Sequence, residues 1–238
     1  MTISVELLDH AGSDNSIANA ARVSFGAEND WNAIPDGYSE ERRNGLLSYL
    51  AKHKHVTPFR HTYVSVRCKV PIFIARQLAK HQAGLSWNEV SRRYTTENLE
   101  FYEPTEWRKS PTGSIKQGSG NVHGCSEHWT QCLKDVTTAS LDYYQRMIRN
   151  GVAPEQARML LPQTMMVEFV WAGNILAFSH VYNERSHESA QKEVQYFASK
   201  LDEVITTKFP VSWAKLTKKE TECQSQSTAA LSVVHAKH

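Results

Sequence analysis

No stretch of this sequence is apolar for long enough to cross a bilayer, and its start, MTISVELLDH, lacks the basic-then-apolar order of a signal peptide. These absences predict a cytoplasmic protein with no membrane partner. Cysteine is scarce: Cys68, Cys125, Cys132 and Cys223 form no CxxC pair, so neither a zinc ribbon nor a disulfide framework is indicated and reduced thiols are expected. A large charge excess is also missing. The net charge of +2 is too small to call for a nucleic-acid polymer as partner. No dinucleotide fingerprint is present either: Gly118-Ser119-Gly120 with Gly124 is not GxGxxG, follows no strand, and lacks P-loop spacing. There is no internal repeat.

What is present fits an ordinary folded protein. Hydrophobic residues make up 40% and charged residues 22% of the 238 positions, which argues against disorder and suits one domain. Positive charge gathers at Lys80, Arg92, Arg93, Arg108 and Lys109, a concentration suited to a small polyanion such as a nucleotide.

The periodicity predicts an α/β (α+β) single domain, residues 1–214, with a central mixed or antiparallel sheet flanked by helices. Residues 3–8 read as a strand. Ser39 can cap a helix whose Leu46, Leu47, Leu50 and Ala51 share one side and which stops around His53. Val64, Val66, Cys68 and Val70 alternate with Ser65, Arg67 and Lys69, the period of a half-buried strand. Pro71 then suits the first turn of a helix running to about His81. Residues 110–126 are rich in Gly and Ser and are expected to be a mobile loop. Trp129, Cys132, Leu133, Val136, Tyr143 and Met147 recur at helical spacing over 126–150 and are assigned to core, with Asn150-Gly151 as the stop. Pro154 starts a shorter helix containing Arg158, 165–172 is apolar enough for a buried strand although periodicity alone leaves helix open, and 174–208 reads as helix broken near Ser186. Residues 215–238 are expected to be a flexible, polar, frayed tail.

The densest polar cluster is KHQAGLSWNEVSRRY, Lys80 to Tyr94. It could be a solvated loop, but it follows a regular strand and helix that would fix its position. Forked arginine donors beside Ser, Asn and backbone N–H groups are the equipment of anion and pyrimidine recognition. Two other readings are open. His53, His55, His61 and His81 flank one strand and could serve a metal-dependent hydrolase. Arg92, Arg93, Tyr94 and Trp87 could form a single-strand nucleic-acid-binding module.

The cluster resembles the signature of the flavin-dependent thymidylate synthase family, an Arg-His-Arg followed by Ser-x-Asn-Glu-x-Ser-x-Arg-Tyr. Lys80-His81-Gln82 stands for the first part, and Ser86 to Tyr94 matches the second. Ala21 to Phe25, His53 to Phe59, Pro71 to Gln77, Phe101 to Pro104, Ala157 to Pro162 and Arg185 to Glu193 are similar to family segments in family order. Lys80 and Gln82 replace two arginines, and one extra residue within Ala83-Gly84-Leu85 separates His81 from Ser86.

The resemblance implies an FAD enzyme, a methyltransferase that converts dUMP to dTMP. NADPH and methylenetetrahydrofolate would be co-substrates, and no metal is implied. It implies a homotetramer whose active sites are shared between subunits. Gln77, Lys80, Glu89, Ser91, Arg93, Arg158 and Arg185 would bind dUMP, with Arg158, Ser91 and Arg93 closest to the chemistry. His55, Thr57, Lys80, His81, Gln82, Glu89, Asn174 and His180 would hold FAD. Such an enzyme needs no nucleophilic cysteine, in accord with the lack of any cysteine in a nucleophile context.

Overall fold

A computed structural model describes residues 2–26, 30–112 and 118–217. In chain order the elements are β1 (Ser4–Ala11), α1 (Asp14–Arg22), a 3₁₀ turn (Val23–Phe25), α2 (Glu40–Lys52) and a 3₁₀ turn (Thr57–His61). There follow β2 (Tyr63–Pro71), α3 (Ile72–Leu78), β3 (Leu85–Glu89), α4 (Ser126–Arg149) and α5 (Pro154–Ala157). The chain continues through a 3₁₀ turn (Arg158–Leu160), β4 (Met166–Gly173), α6 (Ile175–Arg185), α7 (Lys192–Thr206) and α8 (Pro210–Leu216).

The four strands form one antiparallel sheet in the order β1-β2-β4-β3. The alternation in β2 is realised: Val64, Val66, Cys68 and Val70 are buried, and Val66, Cys68 and Val70 pair with Trp171, Phe169 and Val167 of β4. These side chains share one core with Phe178 and Val181 of α6 and with Val194, Phe197 and Leu201 of α7. Burial pushes the Cys68 thiol far above its ordinary value, so it packs as a small hydrophobe.

Polar groups fix the helix ends. Ser39 accepts from the Arg42 amide at the start of α2, as its sequence position predicts. Asp14 is buried, and its carboxylate accepts from the backbone N–H groups of Val211 and Ser212 at 2.9 Å each, tying α1 to the start of α8. Thr62 donates to Phe59 O and accepts from Ile175 N, which joins the 3₁₀ turn before β2 to the first turn of α6.

Several expectations are corrected. The Lys80–Tyr94 cluster is not all loop, because Leu85–Glu89 forms an edge strand on β4. Gly84 (φ +75°) makes the turn into it, with Leu85 N donating to Gln82 O, and this turn contains the extra residue. A Cβ at Gly173 would overlap the Gly84 carbonyl oxygen, so the strand end and the turn approach as closely as they do only with glycine there. Pro71 closes β2 and caps α3 from outside, and α3 ends at Leu78, short of His81.

The largest correction concerns α4. Its apolar stripe is not core within the protomer: only Tyr144 is buried, while Trp129, Val136 and Tyr143 are exposed. Helical spacing reveals an apolar face but not what covers it. Residues 215–217 belong to the folded chain, with Lys215 and Leu216 in α8 and Thr217 buried. The remainder of the expected tail, and residues 113–117 of the expected loop, lie outside the described residues.

Candidate functional site

The site is built at the free end of β3 and on the turn that follows α5. In the β3–β4 register Trp87 lies opposite Trp171, and Glu89 opposite Phe169. Trp87 and Glu89 are two apart on a strand and so share a face with those buried aromatics. The Trp87 indole stacks on Phe169 with ring centroids 3.4 Å apart and planes 16° from parallel, and its Nε1–H donates to Glu89 Oε2 at 3.3 Å. Partial desolvation beside the aromatic rings pushes the Glu89 carboxyl, whose side chain is still exposed, above the ordinary value of 4.5, against opposing effects from the Trp87 hydrogen bond and the Arg158 charge.

The chain turns after Val90, and Ser91 organises Arg93. Both the backbone N–H and Nε–H of Arg93 donate to Ser91 Oγ, at 3.3 and 3.4 Å, and the guanidinium lies 5.1 Å from the Tyr94 ring centre. Arg158 enters from the 3₁₀ turn, its Nε–H donating to Glu155 O and the rest of the guanidinium exposed. Glu89, Ser91, Arg93 and Arg158 line one cleft of about 490 Å³, floored by Ile72, Met165 and Val167. Two guanidinium forks, a hydroxyl and a carboxylate of raised proton affinity thus face the same space. Such a set can bind a dianion, polarise a carbonyl and accept from an N–H or hydroxyl.

The raised Glu89 value has a testable sign. With the folded pKa above the unfolded one, the stability contribution of Glu89 is complete below about pH 4.5 and is lost as pH rises through the folded value. Charged Glu89 therefore costs a little stability at neutral pH, a cost that solvent screening of this exposed side chain keeps small. We expect Glu89→Gln to melt above wild type at pH 7, and this advantage to shrink as the pH approaches 4.5. A variant that melts lower at pH 7 would contradict the assignment of desolvation as the dominant effect.

A second group forms where α3 ends. Arg185, the last residue of α6, donates through Nε to His81 Nε2 at 2.9 Å and through Nη2 to Gln77 O at 3.2 Å. An imidazole accepting at Nε2 carries its proton on Nδ1 and is neutral. Burial first, then the Arg185 charge, hold the His81 pKa below its ordinary value. Gln77 donates to Gln191 Oε1 at 2.7 Å. Lys80, Gln82 and His180 are exposed. Asn174 Oδ1 accepts from Ala177 N as the cap of α6.

Within one protomer the predicted residues are thus divided. Arg158, Arg93, Ser91 and Glu89 meet in the cleft, whereas Arg185, His81 and Gln77 meet at the end of α3. His55 and Thr57 are exposed at the 3₁₀ turn that packs on α6.

The charge concentration is also divided. Arg108 Nη2 donates to both carboxylate oxygens of Glu193, at 2.6 and 2.8 Å, so this cation is neutralised internally and is not part of an anion site. Arg92 donates to Glu97 O. The histidines of the metal reading do not gather: His53 and His55 lie against Tyr49, His61 lies against Trp31, and His81 is held by Arg185. Among the described residues no group of three or more His, Cys, Asp or Glu side chains could hold a metal ion. Sequence reasoning misses Trp87 as the group that orients Glu89. Its signal is the i, i+2 spacing, which has no meaning in a loop and a definite one in a strand.

The profile of the thymidylate synthase complementing protein family matches residues 6–211. The chain belongs to the flavin-dependent thymidylate synthases. It is 35% identical over 208 residues to the flavin-dependent thymidylate synthase of Thermosipho melanesiensis, covering 87% of this chain and 86% of that one. Against the Thermus thermophilus enzyme of the same name it is 33% identical over 211 residues, 88% of this chain and 74% of the relative. The fold superposes on the UMP/dUMP methylase PolB from Streptomyces cacaoi bound with 5-Br dUMP, with a TM-score of 0.80 and 26% identity over 90% and 94% of the two chains. As a member of this enzyme family the protein is a flavin-dependent synthase, and its residues suit a flavin dinucleotide. Neutral His81 has an Nδ1–H donor, and Lys80, Gln82 and His180 present exposed donors beside it. The Lys80 and Gln82 replacements leave a point charge and an amide where forked cations would stand.

Proposed function

We propose that the protein converts dUMP to dTMP in the cytoplasm, with methylenetetrahydrofolate as carbon donor and FAD reduced by NADPH as hydride source. The observation that carries this reading is the cleft in which Glu89, Ser91, Arg93 and Arg158 meet. Reduced FAD supplies the hydride. The chain's own residues bind and orient. Arg158 faces the pyrimidine carbonyls and stabilises negative charge that develops on the ring. Arg93, positioned by Ser91, binds phosphate, and Glu89 accepts from a substrate donor. Gln77, Lys80 and Arg185 complete the dUMP contacts from the end of α3. His55, Thr57, Lys80, His81, Gln82, Asn174 and His180 hold FAD, with Glu89 at its edge.

Because these two sets lie apart in one protomer, the reading includes a homotetramer in which one subunit supplies the cleft and another the α3 end. Support comes from the exposed apolar residues around the cleft, Val90, Tyr94, Met159 and Leu160, and from the uncovered stripe of α4. The test is a visible absorption spectrum of the purified protein before and after dUMP. A flavin band that shifts on addition of dUMP is expected. A protein that stays colourless after incubation with FAD would overturn the reading.

A further inference from the structure

Gln77 is held from both sides of the break between α6 and α7. Arg185, ending α6, donates to its backbone carbonyl, and Gln191, preceding α7, accepts from its side-chain amide at 2.7 Å. Gln191 is the N-cap residue of α7, and its carbonyl accepts from Val194 N and Gln195 N at 3.0 Å, which fixes its backbone. At an N-cap, Ser, Thr, Asp and Asn are favoured because their side chains close back on the helix. Gln191 makes no such bond, and its amide reaches α3 instead.

The orientation of the Gln77 amide follows. Its nitrogen donates to Gln191 Oε1 and, at 3.4 Å, to Phe73 O one turn back. Both amide hydrogens are thereby used. The atom left for a ligand is Oε1, which only accepts.

We propose that Gln191 is a positioning residue that fixes Gln77 with its carbonyl oxygen toward the substrate, so that Gln77 reads a hydrogen-bond donor on the nucleoside and not the phosphate. Uracil N3–H and the deoxyribose 3′-hydroxyl are such donors, whereas phosphate oxygens at neutral pH accept. A side chain free to rotate would present its NH₂ equally well and would lose this selectivity. The inference rests on the dUMP reading above.

The test titrates dUMP into the flavin-loaded protein, following the flavin band, for wild type, Gln191→Leu and Gln191→Glu. Gln191→Leu is expected to weaken dUMP about five- to tenfold, the effect of one hydrogen bond. Gln191→Glu keeps an acceptor for the Gln77 amide and is expected to restore most of that loss. The same ratios are expected for deoxyuridine, which has no phosphate. Equal weakening in both variants would mean a structural role only, and a loss seen with dUMP but not with deoxyuridine would place Gln77 on the phosphate; either overturns the proposal. Thermal melts of Gln77→Leu, Gln191→Leu and the double variant read the contact without nucleotide, and additive losses would also overturn it. A wild-type protein blind to dUMP refutes the substrate reading separately.

Discussion

Arg158→Ala is expected to lower kcat for dTMP formation by about 10²–10³, the usual consequence of removing one donor that stabilises developing charge. The fold should hardly notice. Arg158 is exposed and its side chain makes one hydrogen bond, from Nε–H to Glu155 O. Exposed substitutions of this kind stay within about 0.5 kcal/mol of wild type. The informative pair of measurements is therefore turnover with saturating dUMP beside a thermal melt. Arg158→Lys keeps the charge but loses the planar fork, and is expected to fall between the two. Turnover at the wild-type rate in Arg158→Ala would remove the cleft from the reaction. A matched fall in melting temperature would make the loss structural.

Particular residues show how far the sequence leads. The alternation from Val64 to Val70 has only one structural meaning when its apolar side is fully buried, and that side is buried throughout, although Ser65 on the opposite side is buried as well. Ser39 predicts its own helix start because a cap is local chemistry. The break near Ser186 is present too, with α6 ending at Arg185. β3 is hidden because it is an edge strand of five residues carrying Ser, Asn and Glu, too short and polar for periodicity to stand out. Its existence depends on β4, about eighty positions later in the chain. The same holds within the site. The residue types around Arg93 are legible as anion-binding equipment. That Arg185 meets His81 across 104 positions, or that Arg108 is taken up by Glu193, depends on long-range packing that no local pattern encodes. The stripe of α4 is the converse case, a local pattern read correctly as apolar and wrongly as covered.

Glu193→Ala is expected to cost about 3–5 kcal/mol of stability, because it strands a charge in a nearly buried place. The Arg108 and Glu193 side chains are only 16% and 9% exposed, so solvent cannot screen Arg108 once its partner is gone. For a chain of this size that loss corresponds to a fall in melting temperature of roughly 6–20 °C. Ser119 and Glu106 also contact Arg108, but neither replaces two short bonds to one carboxylate. Removing both charges should be far milder than removing one. Arg108→Met combined with Glu193→Leu is expected to recover much of the loss, because the cost lies in the unpaired cation and not in the absence of the pair. A single variant that melts with wild type would show that the segment relaxes and hydrates Arg108. The pair also bears on function, since Glu193 lies two residues after Gln191 and its bond to Arg108 holds the 101–109 segment against the start of α7. Loss of Glu193 should therefore weaken dUMP binding through Gln77 in those molecules that remain folded, although Glu193 does not line the cleft.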